Sequence, residues 1–156
     1  DVGVGIDGGN VFYGNIGSQE HMANTVIGDT VNSASRLEGV TRIYHLPVIV
    51  SEYVKNEVEK ESARYKFIEI DTIQVKGKTE GKKIFFPFDT NEMEESLLEK
   101  YKQYESALHA YYEGDWKTAR KIFKETELEV SEVFLERMGN KGAPEDWSGI
   151  WTMTTK

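Results

Sequence analysis

The chain has 156 residues, of which 38% are hydrophobic and 12% aromatic, enough for one ordinary core with an appendage. Its net charge of −8 argues against a general nucleic-acid binder. With no cysteine, disulfides and thiolate metal sites are excluded, and a mean hydropathy of −0.54 goes with the lack of any apolar run long enough to span a membrane.

Val2-Gly3-Val4-Gly5-Ile6 reads as a strand along which another backbone passes closely, because glycine alternates with β-branched residues. A chain that opens on a strand is expected to be the carboxy-terminal piece of something longer. Asp7 to Asn10 carries the residues of a turn between antiparallel strands, with Val11 to Ile16 as the returning strand. Gly14 and Gly17 punctuate the way into the loop that feeds the next helix, and Ser18 to Asn24 is a polar, exposed excursion that contains His21. Apolar helical spacing then starts after Asp29, a candidate N-cap, and continues to about Tyr44. Val31, Ala34 and Leu37 face inward, whereas Asn32 and Arg36, four residues apart, share the other face. An amide and a guanidinium on such a mount suit a ribose and a phosphate.

Pro47 ends this element, and Val48 to Val50 forms a short buried strand. Ser51 caps a helix over 52–61 with Tyr53, Val54 and Val58 as its apolar stripe. Phe67 to Val75 reads as a half-exposed strand, Lys76 to Gly81 as a basic turn, and Ile84 to Phe88 as a closing strand whose proline fits a sheet edge. The order ββαβαββ describes an α+β layer of helices on one sheet.

Composition changes near Thr90. Helices are expected over 91–113, from Trp116 after an Asp115 cap, and over 127–138. Trp147 and Trp151 fall close together after a loop, and leaving both in water is unfavourable, so they should pack back on the helices or the sheet. The domain division is therefore 1–89 and 90–156.

The three histidines, at 21, 45 and 109, sit in unrelated settings and form no triad, and no HExxH, EF-hand or Walker A pattern occurs. The segment Thr25-Val26-Ile27-Gly28-Asp29-Thr30-Val31-Asn32-Ser33-Ala34-Ser35-Arg36-Leu37-Glu38, with Gly14-Asn15-Ile16-Gly17-Ser18 before it and Val75-Lys76-Gly77-Lys78 after it, closely resembles the class III nucleotidyl cyclases. The likeness covers roughly residues 1–89. It implies a ferredoxin-like cyclase palm, incomplete at its amino-terminal side, and adenylate cyclase activity, ATP giving 3′,5′-cyclic AMP and pyrophosphate.

By the same resemblance Asn32 orients the ribose, Arg36 stabilises charge on the α-phosphate, Thr25 contacts the base as in adenylate rather than guanylate cyclases, and Lys76 meets the triphosphate. Two divalent ions, Mg or Mn, are implied for the full-length enzyme. Their aspartate ligands fall upstream, so no metal ligand is assigned here; Asp1, Asp7 and Asp29 are not substitutes. The family's sites lie between two catalytic domains, which implies a second copy as partner, and Phe12 to Asn24 resembles the arm used in that pairing. Asp7-Gly8-Gly9 stands where His-Thr-Gly is common, and Asn24 where an aromatic is frequent.

Gly114-Asp115-Trp116, Ala119 and Phe123 resemble one tetratricopeptide-like unit, read here first as a helical cap on the catalytic domain. The ending from Asp146 to Lys156 resembles bacterial cyclases with a CHASE-type sensor and transmembrane helices, implying a parent protein at the inner membrane with this part on its cytoplasmic side. A sheet lacking upstream strands should self-associate through its open edge. The competing reading is a non-catalytic, partner-binding module built on a truncated cyclase fold.

Overall fold

The computed structural model describes residues 2–9, 12–16, 23–27, 29–75 and 80–153. Its order is β1 (Val4–Ile6), β2 (Phe12–Ile16), β3 (Ala23–Ile27), α1 (Asp29–Tyr44), β4 (Val48–Ser51), α2 (Glu52–Glu61), β5 (Tyr65–Val75), β6 (Lys82–Asp89), α3 (Glu95–Tyr112), α4 (Trp116–Thr126), α5 (Glu129–Met138) and β7 (Trp151–Met153). Five strands form one mixed sheet in the order β1-β4-β6-β5-β7, and β2 and β3 form a separate antiparallel ribbon. The architecture is mixed α+β.

Two local rules place most of the first half. Leu37, Val40, Thr41 and Tyr44 are all buried, the i, i+3, i+4, i+7 stripe that seats α1 on the sheet. The helix begins at Asp29 itself, one residue before the expected start, and ends at Tyr44 as expected. Ser51 closes β4 and caps α2, its side-chain oxygen accepting from the Val54 amide at 3.3 Å while its hydroxyl donates to Asp7 Oδ1 at 2.5 Å.

The close backbone approach expected along β1 is made by α1. A Cβ placed on Gly5 would lie 2.7 Å from the Ala34 carbonyl oxygen and from the Leu37 carbonyl carbon, so only glycine lets the helix lie this close. Strand alternation then separates the two faces of the sheet. Ile49 and Ile84 join the main cluster with Leu37, Val40 and Tyr44. Phe85 points the other way, under α2, where the Lys55 ammonium sits 5.2 Å from its ring centroid.

Several expectations are corrected. The hairpin expected between β1 and β2 is not formed: β1 pairs in parallel with β4, and β2 pairs with β3, while Asn10 and Val11 lie outside the described residues. Asp7 is held to Ser51, which carries the chain past the end of β4 instead of back along β1. Of the excursion expected over Ser18 to Asn24, residues 18–22 lie outside the described residues, whereas Ala23 and Asn24 belong to the strand Ala23–Ile27, which pairs with β2 so that Gly14 lies opposite Thr25.

The expected edge strand, β6, is the middle of the sheet. Pro87 is tolerated because the register with short β4 covers only Phe85 and Ile84, leaving no ladder there for the missing amide to break. Strand β5 is not half exposed. A register shift between Glu69 and Asp71 turns consecutive residues inward, and Ile68, Ile70, Asp71 and Ile73 are all buried. Tyr53, placed in the α2 stripe, is 50% exposed. The helix expected from residue 91 starts at Glu95, after a turn anchored by the Asn91 amide donating to Asp89 Oδ1.

After Asp89 the chain adds three helices, α3 lying on β5, α5 on α1, and α4 on both α3 and α5. The same apolar cluster that holds Leu37 and Ile70 includes Tyr104, Tyr111, Phe123, Phe134 and Met138, so one core runs through both segments. Asp115 caps α4 as expected, accepting from the Thr118 amide at 3.2 Å. Both tryptophan expectations are met, with a feature sequence reasoning missed. Trp147 donates its indole N–H to the Tyr111 carbonyl at 2.9 Å, beside Trp116, which donates to the same oxygen at 3.2 Å. Trp151 begins a seventh strand, pairing in parallel with β5 so that Ile73, Gln74 and Val75 face Trp151, Thr152 and Met153.

Candidate active site

Asn32 and Arg36 lie on α1 one turn apart, and both are exposed. Leu37 and Val40, on the other side of the helix, are 6% and 7% exposed. The polar pair is therefore carried on a helix whose inner stripe is locked into the sheet, the arrangement that limits motion of functional side chains. Arg42, further along, is spoken for by Glu38, with contacts of 2.6 and 3.1 Å.

Thr25 lies in β3 opposite Gly14, in the ribbon that feeds directly into α1, and its side chain lies outside the described residues. Lys76 and its turn also lie outside them; β5 brings the described chain to Val75, immediately before it. The structure thus brings Asn32 and Arg36 together, sets the backbone of Thr25 at the entry to the same helix, and gives no position for Lys76. His21 falls outside the described residues as well.

Among the described residues no three carboxylate or imidazole side chains gather in a way that could hold a metal ion. Asp7, the acidic residue nearest the start of the sheet, is committed elsewhere: its Oδ1 accepts from the Gly8 amide at 2.8 Å and from Ser51. The described residues do not fit a metal pair.

Residues 1–89 match the model of the adenylate and guanylate cyclase catalytic domain. The chain belongs to this cyclase family. Among its relatives, an adenylate cyclase of Anabaena cylindrica is 40% identical over 85 residues, 54% of this chain and 17% of that protein. Adenylate cyclase 1 of Rhizobium meliloti (strain 1021) is 36% identical over 81 residues, 52% of this chain and 12% of that protein. The structure of a bacterial light-regulated adenylyl cyclase matches at 31% identity and a TM-score of 0.45, covering 54% of this chain and 22% of its own. The chain therefore spans under a fifth of the length of these two curated cyclases.

Just beneath α1 the cyclase segment holds a charged group that sequence reasoning passed over. Asp71 of β5 is fully buried, and its Oδ2 accepts from the Tyr44 hydroxyl at 2.6 Å and from Arg137 Nη1 at 2.7 Å. Its Oδ1 accepts from the Thr72 amide at 2.8 Å. Burial pushes the Asp71 carboxyl above its usual range, with Arg137 and the three hydrogen bonds pulling it back only in part. The Tyr44 hydroxyl is also raised, first by burial and then by the neighbouring carboxylate. The available signal was an aspartate amid isoleucines, since Asp is depleted in strands.

Proposed function

We propose that this chain is part of a bacterial adenylate cyclase and supplies the base-, ribose- and phosphate-contacting half of its site. The observation that carries this reading is the Thr25–Glu38 segment, inside the family-matched residues, with Asn32 and Arg36 exposed on one side of an anchored helix. In the reaction the ribose 3′-oxygen attacks the α-phosphorus of ATP, a new P–O bond closes the ring, and the bond to the departing pyrophosphate breaks. Asn32 holds the ribose so that its 3′-oxygen is aligned for attack. Arg36 meets the charge that grows on the α-phosphate oxygens, which its planar fork matches at two points. Thr25 hydrogen-bonds the base, and Lys76 acts as a point charge on the triphosphate tail.

The two divalent ions that such chemistry uses are assigned to ligands outside this chain, and the other half of the site to a second catalytic domain, as a homodimer. The ribbon of β2 and β3, separate from the main sheet, is the arm for that pairing. The palm is of the ferredoxin-like type, completed by strands upstream of β1. Residues 90–156 form a helical cap, with α3 and α4 as a single tetratricopeptide-like unit about Gly114. The parent protein is placed at the inner membrane with this part on its cytoplasmic side.

Purified full-length protein supplied with ATP or GTP tests the base assignment. We expect a preference for ATP of at least about tenfold, because a site built to hydrogen-bond one base leaves polar groups unpaired with the other. Equal use of the two, or a preference for GTP, contradicts the adenylate reading and favours a guanylate cyclase.

A further inference from the structure

We infer that Arg137 is a positioning residue for the cyclase site, holding α1 and β5 in register from the carboxy-terminal helices. The inference rests on the proposed function for its catalytic consequence, and on geometry alone for its structural part.

Arg137 belongs to α5, outside the family-matched residues 1–89, yet its side chain is only 5% exposed. Its guanidinium makes three bonds. Nη1 donates to Asp71 Oδ2 at 2.7 Å and to the Tyr111 hydroxyl at 3.1 Å, and Nη2 donates to the Tyr44 hydroxyl at 3.1 Å. The Trp151 ring lies 4.2 Å from the guanidinium carbon and that of Phe134 4.8 Å, so aromatic faces complete its enclosure. Burial works against the charge, but Tyr44, Asp71 and Tyr111 outweigh it and raise the guanidinium further.

The partners lie on the two elements that carry the candidate site. Tyr44 is the last residue of α1, two turns beyond Arg36 on the same rigid helix. Asp71 lies on β5, whose last residue, Val75, immediately precedes Lys76 and faces Met153 of β7. A fork is required here because one charge must hold a carboxylate and two hydroxyls in fixed directions, which a lysine ammonium does less well. Among the described residues the ion pair that Asp71 makes is with Arg137. A carboxylate with no exposure, deprived of that partner, is expected either to take up a proton or to draw water into the core, and in both cases the seat of α1 changes.

The test must separate positioning from plain stability. In the full-length protein, Tyr44→Phe cuts the link from the α1 side while keeping the ring that packs on Phe134. The pair Asp71→Asn with Arg137→Gln removes both charges together and avoids a lone buried one. Both are expected to melt near the wild type, to exchange amide hydrogens in the second half of α1 measurably faster, and to lose about tenfold in kcat with little change in KM for ATP, since Arg36 acts in the transition state. Wild-type exchange in α1, or wild-type kcat, in both variants overturns the inference. If the wild-type protein itself makes no cyclic AMP, the proposed function fails, and the exchange comparison alone decides whether Arg137 holds α1.

Discussion

Arg36→Ala in the full-length protein is expected to lower cyclic AMP formation about 10²-fold or more. That is the scale of losing one donor aimed at charge that develops only in the transition state, about 3 kcal/mol. The loss should fall on kcat with KM for ATP little changed, because the ground-state phosphate keeps its other contacts. Folding should be unaffected, since Arg36 is exposed and the seat of α1 is made by Leu37, Val40 and Tyr44. Steady-state assays at saturating ATP check this, and near-normal turnover would remove Arg36 from the reaction. Arg42→Ala is the matched control. It breaks an exposed i, i+4 pair with Glu38 and should leave turnover unchanged.

Gly5→Val should be as damaging for a different reason. A side chain at Gly5 meets the backbone of α1 at Ala34 and Leu37, and a helix backbone cannot yield as a flexible side chain can. The helix must lift off β1, at a cost of about 3 kcal/mol, the upper end for overpacking. Asn32 and Arg36 are then displaced with it. Urea unfolding of the full-length protein should show a lower midpoint, with turnover falling in parallel. Gly39→Ala makes the opposite prediction within the same helix. The nearest atom to a Cβ there is Arg42 Nη2 at 4.0 Å, so alanine should stabilise by about 0.5–1 kcal/mol. Equal effects of the two substitutions would contradict the packing described for α1.

What could be read from the sequence was what short-range physics decides. The extent of α2 from its Ser51 cap, the end of α1 before Pro47 and the Asp115 cap of α4 each follow from residues within a turn of one another. So does the sharing of one α1 face by Asn32 and Arg36. The strand partners did not follow. Whether Asp7 begins a hairpin or passes across β4 is decided by Ser51, 44 residues away. Pro87 marked an edge by rule, and only the shortness of the β4–β6 register shows how a central strand admits it.

Asp71 was hidden for the same reason. Its counter-charge is 66 residues downstream, so the aspartate amid isoleucines marks the position without showing what it pairs with. Sequence reasoning therefore saw the exposed face of α1 that carries Asn32 and Arg36, and missed the side chains beneath that hold the helix. The two are linked through Tyr44, whose hydroxyl joins the end of the helix to Asp71 and Arg137.

The central claim is that these residues are one half of a site shared between two chains, and complementation tests it most directly. Full-length Arg36→Ala protein is co-expressed with full-length protein in which the aspartates proposed as metal ligands have been replaced, each expected to be inactive alone. Random pairing in two-fold dimers puts one intact composite site in half of them, so about a quarter of wild-type cyclic AMP formation should return. Mixed dimers that form and make no cyclic AMP would contradict the account.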